Sequence, residues 1–211
     1  MKRSGAAITL GLCSLLAACS TVPRVYRAPA GPYGVALQKA TRSGTSYLGF
    51  DPSILAYATH ETPEFRKARA EYLADAFHDT AEGAVARIAV MAAPFEGQAF
   101  LVSLNMHDRA MNDLERPNSR WGLTLESPQG LVHPTSIRRL TYDVPLLQEL
   151  YPYSDRYFVA YRAVFPPSGD GPFTLIVSGP LGEVRLKFDA SPPASLPSSA
   201  PDAGASTPVK G

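Results

Sequence analysis

The 211-residue chain carries 20 Lys and Arg against 19 Asp and Glu, a formal charge of +1, and 45 % of its residues are apolar. That length suits one domain with tails rather than two, and the near-neutral balance implies no nucleic-acid or other polyanion partner. With only two cysteines, the fold must rest on packing rather than on a disulfide framework.

The N-terminus reads as a secretory signal. Lys2 and Arg3 precede an apolar run from Ala6 to Leu16, the charged and hydrophobic regions of an export signal, and the run is too short to span a bilayer. It ends in Leu16-Ala17-Ala18-Cys19, which resembles the bacterial lipobox. The resemblance implies that the Cys19 sulfur is lipidated, that residues 1–18 are cut away and that the mature chain begins at Cys19. Taking 18 residues from 211 leaves 193, and losing Lys2 and Arg3 brings the formal charge near −1. Cys13 leaves with the signal and Cys19 is consumed as a thioether, so no pair remains to oxidise. Ser20 stands where inner-membrane retention wants an aspartate, which by the same resemblance implies sorting to the outer membrane, facing the periplasm.

Residues 19–46 follow as a lipidated N-terminus and tether, because Ser20 to Pro32 is rich in Pro, Ala and Arg and shows no apolar period. Residues 47–97 read as a mainly helical segment. Tyr47 to Thr59 permits a short strand. Thr62-Pro63-Glu64 supplies an N-cap hydroxyl, a proline at the first helical position and an acid in the first turn. Phe65, Ala68, Tyr72, Leu73, Ala76 and Phe77 then recur at helical spacing, an apolar stripe that has to lie against the rest of the domain. Asp79-Thr80-Ala81-Glu82 resembles a capping box and starts a second helix through Val85, Ile88, Ala89 and Ala92 to Pro94, with a strand over Ala84 to Met91 as the competing reading.

From Gln98 the period becomes two. Phe100, Val102, Leu104 and Met106 share one face, as do Trp121, Leu123 and Leu125; Tyr157, Val159, Tyr161 and Phe165; Phe173, Leu175 and Val177; and Val184, Leu186 and Phe188. Pro/Gly turns separate them at Ser127-Pro128-Gln129-Gly130, at 166–171 and at Gly179-Pro180-Leu181-Gly182. Short strands with no helix between them predict, over residues 98–189, an immunoglobulin-like antiparallel β-sandwich in a mostly β chain, preceded by the small helical segment. Trp121 is placed at its centre. Residues 190–211, built largely of Pro, Ser and Ala, are expected to be a disordered tail. The positions Trp121-Gly122-Leu123-Thr124-Leu125, Gly130, Pro134, Ile137, Leu150-Tyr151-Pro152-Tyr153, Tyr161 to Pro166 and Ser178 to Gly182 resemble uncharacterised lipoproteins of deltaproteobacteria. That resemblance covers Thr62 to Asp189 and implies an envelope address and a fold, with no activity attached.

The chemistry-bearing residues are dispersed. His60, His78, His107 and His133 lack metal-binding spacing. The loop from His107 to Arg120 carries Asp108, Asn112, Asp113, Glu115 and Asn118, oxygen donors without the order of a calcium loop, so they read as turn caps. Ser178 lies in Val-Ser-Gly-Pro rather than in a nucleophile elbow. No cofactor and no metal are expected. Tyr142, Tyr151, Tyr153, Tyr157 and Tyr161, with Phe158 and Phe165, concentrate aromatic area. Tyr151, Tyr153 and Tyr157 either present a binding surface for a peptide or glycan or, with the others, fill the sandwich core and its corner. Arg138 and Arg139 read as a solvated face. The expected function is a structural or protein-binding module of the cell envelope, anchored to the membrane through Cys19, with an envelope protein or the cell wall as partner. A carbohydrate or small-ligand binder using the tyrosines is the alternative, and a small hydrolase a third.

Overall fold

The computed structural model describes residues 26–93, 96–141, 144–169 and 171–189. The export signal, Cys19, Tyr142 and the C-terminal tail lie outside the described residues. Among the described residues nine strands run in chain order: β1 (Thr41–Leu48), β2 (Asp51–His60), β3 (Gln98–Met106), β4 (Gly122–Ser127), β5 (Gly130–Val132), β6 (Ser136–Arg139), β7 (Val159–Phe165), β8 (Phe173–Gly179) and β9 (Gly182–Phe188). They form two sheets, ordered β1-β2-β3-β7-β6 and β5-β4-β8-β9, and every pairing is antiparallel. With β1 set aside, β2, β3, β7 and β6 take the places of A, B, E and D in an immunoglobulin sandwich, and β5, β4, β8 and β9 those of C′, C, F and G. The expected β-sandwich with accompanying helices is the observed fold.

The period-two residues explain it. Phe100, Val102 and Leu104 from β3 meet Leu123 and Leu125, Leu175 and Val177, and Val184 and Leu186 from the other sheet, all buried. Burying each such side chain is worth about 1.5–3 kcal/mol. Trp121, one residue ahead of β4, lies in this core, where its indole occupies the space a Cβ at Gly179 would need, 2.2 Å away.

Two boundaries need correction. The tether assigned to 19–46 ends much earlier: α1 (Pro32–Ala40) buries Tyr33 and Leu37, one turn apart, and β1 pairs with β2 from Thr41↔Thr59 to Leu48↔Asp51. β1 is ordered by backbone pairing and by closing the sandwich against β9, since a Cβ on Gly44 would stand 2.7 Å from Val184 Cγ1. The segment 47–97 is likewise only partly helical. The short strand permitted there is ten residues long and lies inside the five-stranded sheet as β2.

The helices that follow start near their signals. In α2 (Pro63–Ala76) the Thr62 hydroxyl accepts the Phe65 N–H at 3.2 Å, and in α3 (Ala81–Met91) Thr80 does the same for Gly83 at 3.2 Å. The cap of α3 is therefore Thr80, one residue later than the capping-box reading. Asp79 instead holds Arg87 by two hydrogen bonds of 2.6 and 3.0 Å. The buried face of α2 is Phe65, Arg66, Ala70, Leu73 and Ala74, while Phe77 is 58 % exposed under the Arg87 guanidinium. The helix turns away from its apolar stripe because Arg66 and Arg69 are drawn inward to polar partners.

Candidate functional site

The outer face of the five-stranded sheet carries a second core. Tyr57 and Leu101 from that face, Tyr33 and Leu37 from α1, Phe65 and Leu73 from α2, and Leu150, Tyr151 and Tyr153 from the end of α4 (Val144–Leu150) and the turn after it pack together, all buried. Tyr33 donates to the Leu150 carbonyl at 2.5 Å, Ser103 donates to Ser154 at 2.7 Å, and Tyr153 shares a hydrogen bond with Thr59 at 2.5 Å. Burial pushes the Tyr33 and Tyr153 phenols well above the usual tyrosine range.

Register places charge beside this core. One cross-strand row runs Thr41, Thr59, Leu101, Arg162 and Arg138 from β1 to β6. Glu61, just past β2, has a side chain only 3 % exposed. Its two oxygens accept from Arg69 at 2.7 Å and from Arg162 at 2.8 Å, and Arg69 also donates to the Tyr151 hydroxyl at 2.6 Å. Burial alone would raise the Glu61 carboxyl; the two guanidinium groups more than reverse that and hold it below its ordinary value. Arg66, its pKa lowered by burial, donates to the Ala93 carbonyl.

A cavity of about 300 Å³ opens between α2, α4, the end of α3 and the sheet. Its apolar wall includes Leu73, Leu101, Leu147 and Leu150, and its polar wall is Glu61, Arg69, Arg138, Tyr151 and Arg162. Arg138 is the sheet-edge residue directly opposite Arg162. Like charges so placed repel. Among the described lining residues the carboxylate, Glu61, is held between cations, and aliphatic surface adjoins them.

The sequence candidates fare differently. Tyr151 and Tyr153 are 1 % and 4 % exposed, so the surface proposed from them is not a surface, although Tyr151 reaches the cavity through its hydroxyl. Both fill the second core rather than the sandwich core, whereas Tyr161 and Phe165 do lie between the sheets. Tyr157 is 56 % exposed and sits apart, beneath the Arg156 guanidinium and bordering a shallow hollow with Pro52 and Met106. Of the pair read as solvated, Arg139 lies 3.7 Å from Glu115 and Arg138 stands at the cavity mouth. His60 is a satisfied core residue, bonded to Gln98 at 2.7 Å and stacked on Phe100; burial lowers its pKa despite that bond and nearby Glu61 and Glu64. His78, His107 and His133 are exposed. The loop oxygens serve the loop: Asp108 accepts from Ala110, Asp113 from Ser119 and Asn112 from Tyr161. Among the described residues no group of three or more His, Cys, Asp or Glu is arranged to hold a metal.

Glu61, Arg69 and Arg162 were missed from the sequence. The available signal was on β7, where outward Arg162 alternates with inward Tyr161 and Ala163 while its outward neighbours are Ala160 and Val164. A strand with apolar residues on both faces is covered on both, so an arginine in it requires a partner.

Fold and site together define an immunoglobulin-topology sandwich with a helical cover and an amphipathic cavity beneath it. Compared with protein-family models, with curated proteins and with solved structures, the chain finds no match.

Proposed function

We propose that this protein is a non-catalytic binding module of the bacterial envelope, attached to the outer membrane through lipid on Cys19 and facing the periplasm. The observation that carries the binding part is the cavity on the covered face of the sheet, where aliphatic wall and arginines adjoin. The anchoring part is supported by the charged, apolar and small-small-Cys order of residues 2–19. None of the described helices is long and apolar enough to cross a membrane. The tyrosine platform does not support a glycan binder, since two of its three members are buried.

A second reading, contact with a protein partner, is favoured by the tip of the β1–β2 hairpin. Tyr47, Leu48 and Phe50 are 64 %, 61 % and 102 % exposed there. Apolar side chains grouped on a loop tip mark interaction sites more often than scattered ones do.

The anchor is tested by feeding cells an alkyne palmitate and fractionating them. Wild-type protein is expected to label and to sediment with membranes, and Cys19→Ser to do neither, since acyl chains contribute about 0.8 kcal/mol per buried CH₂. Membrane retention of the unlabelled variant would overturn the assignment.

A further inference from the structure

The β1–β2 hairpin ends in a point rather than a face. Leu48 pairs with Asp51, so Gly49 and Phe50 are its two loop residues, and Gly49 takes the positive φ, 65°, that such a turn asks of its first position. Phenylalanine is no turn former, yet Phe50 stands fully in solvent, with Tyr47 and Leu48 exposed beside it. Behind them Tyr157 is also exposed and shares the hollow at Pro52 with Arg109. The charges described around the tip are mixed, Arg109 and Arg156 with Asp51, Asp108 and Asp155, so charge selects neither an anionic nor a cationic surface. Three apolar side chains on a projecting turn fall far short of the roughly 20–30 residues that a stable protein interface takes from each side. They suit a fluid that closes around them. A bilayer interface is such a fluid, and aromatic residues favour it.

The tether brings that surface within reach. Tyr26, where the described chain begins, packs edge-on against Tyr57 and Tyr153, ring centroids 6.0 and 5.3 Å away. It is seven residues from Cys19, at most about 25 Å of chain. Phe50 is seven residues from Tyr57 along the direction of β2, about 23 Å. A lipid on Cys19 and the hairpin tip can therefore lie in one plane. We infer that the β1–β2 tip inserts Tyr47, Leu48 and Phe50 into the bilayer interface, a second membrane contact beside the Cys19 lipid that points β1 and β2 away from the membrane. The inference rests on the anchor reading and assigns the tip to lipid rather than to a protein partner. Because the anchor makes insertion intramolecular, a contact too small to recruit the protein by itself is enough to orient it.

The test uses the full-length protein in its own membranes, with the photo-reactive amino acid benzoylphenylalanine at position 50 and alkyne palmitate reporting the anchor on the same sample. Photolysis is expected to give a phospholipid adduct on the tip peptide. Position 131 is the control. A Cβ on Gly182 would stand 2.2 Å from Ser46 Oγ, so the β8–β9 turn, and with it Gly122 opposite Ser178, is at the tip end; Leu131, opposite Glu126, is at the other. Leu131 is exposed and should capture no lipid. With the photo-reactive residue moved to position 47, Phe50→Asp should lower the lipid adduct about tenfold or more, since each CH₂ withdrawn from lipid is a factor of about four. In palmitate-labelled protein, a protein adduct or no adduct at position 50, or equal lipid capture at position 131, overturns the inference and leaves the anchor standing. Protein with neither palmitate nor lipid adduct rejects both.

Discussion

Glu61 is the residue on which the helical cover depends, because its carboxylate joins α2 through Arg69 to β7 through Arg162. Glu61→Gln leaves Arg69, whose side chain is 15 % exposed, without its counter-charge. Breaking one side of a buried pair costs about 3–5 kcal/mol, and the low end applies here because Arg162 keeps 35 % of its side chain in water. The folded pKa lies below the ordinary 4.5, so the unfolded chain binds the proton more readily. The stabilisation is therefore complete above that value and lost as pH falls through the folded pKa. His60 acts in a different window: its folded pKa lies below the ordinary 6.5, so stability begins to fall once pH drops beneath about 6.5. Urea midpoints measured from pH 7 to pH 3 should show both declines in the wild type. In Glu61→Gln the lower one should be shallower, what remains coming from groups such as Asp79, whose carboxyl is held below its ordinary value by its hydrogen bonds from Arg87, and a curve parallel to wild type throughout would refute the role given to Glu61. In the sequence only the outward arginine of doubly covered β7 pointed to it, since positions 61, 69 and 162 are joined by no local pattern.

At the scale of elements, caps and alternation were legible and helix orientation was not. Thr62 and Pro63 fixed the start of α2 because both act through the local backbone. Which face the helix buries was settled by distant groups, the Glu61 carboxylate and the Ala93 carbonyl, and these turned Arg66 and Ala70 inward and Phe77 outward. The two ends of the apolar stripe now separate by substitution. Leu73→Asp puts an unpaired carboxylate into the second core and should lower stability by several kcal/mol, a large part of the roughly 5–15 kcal/mol that holds a domain together. Phe77→Asp, at a position already 58 % exposed, should stay within about 1 kcal/mol. Equal urea midpoints for the two variants would mean that α2 does not dock. α3 shows the same limit of sequence reading: its helical spacing is plain, yet it has no fully buried residue and exposes Val85 and Val90.

For the whole molecule, the sandwich was readable because Leu123 and Leu125 of β4, Phe173, Leu175 and Val177 of β8, and Val184, Leu186 and Phe188 of β9 point inward and most of their outward neighbours are polar, so pattern and burial coincide there, while β3 and β7 are covered on both faces. The domain's N-terminal limit was unreadable for the opposite reason. β1 is Thr-Arg-Ser-Gly-Thr-Ser-Tyr-Leu, with almost no apolar alternation, and it belongs to the fold through its ladder with β2 and its closeness to β9. Arg42 reinforces that closure, donating to the Lys187 carbonyl at 2.9 Å and to Asp189 at 3.1 Å. Gly44 tests it, because a Cβ there would meet Val184 Cγ1 at 2.7 Å and Leu186 Cδ2 at 3.1 Å. Both neighbours are buried in the sandwich core and have little room to give. Gly44→Val should therefore force β1 off β9 and cost about 1–3 kcal/mol, as overpacking does. Ser43→Val, one residue earlier and exposed, adds the same side chain where nothing opposes it and should leave stability within about 0.5 kcal/mol. If residues 41–48 were only a tether, the two substitutions would give the same urea midpoint as wild type. A selective fall for Gly44→Val makes β1 part of one cooperative unit reaching to Phe188, and protease sensitivity should then begin ahead of α1 rather than at β2.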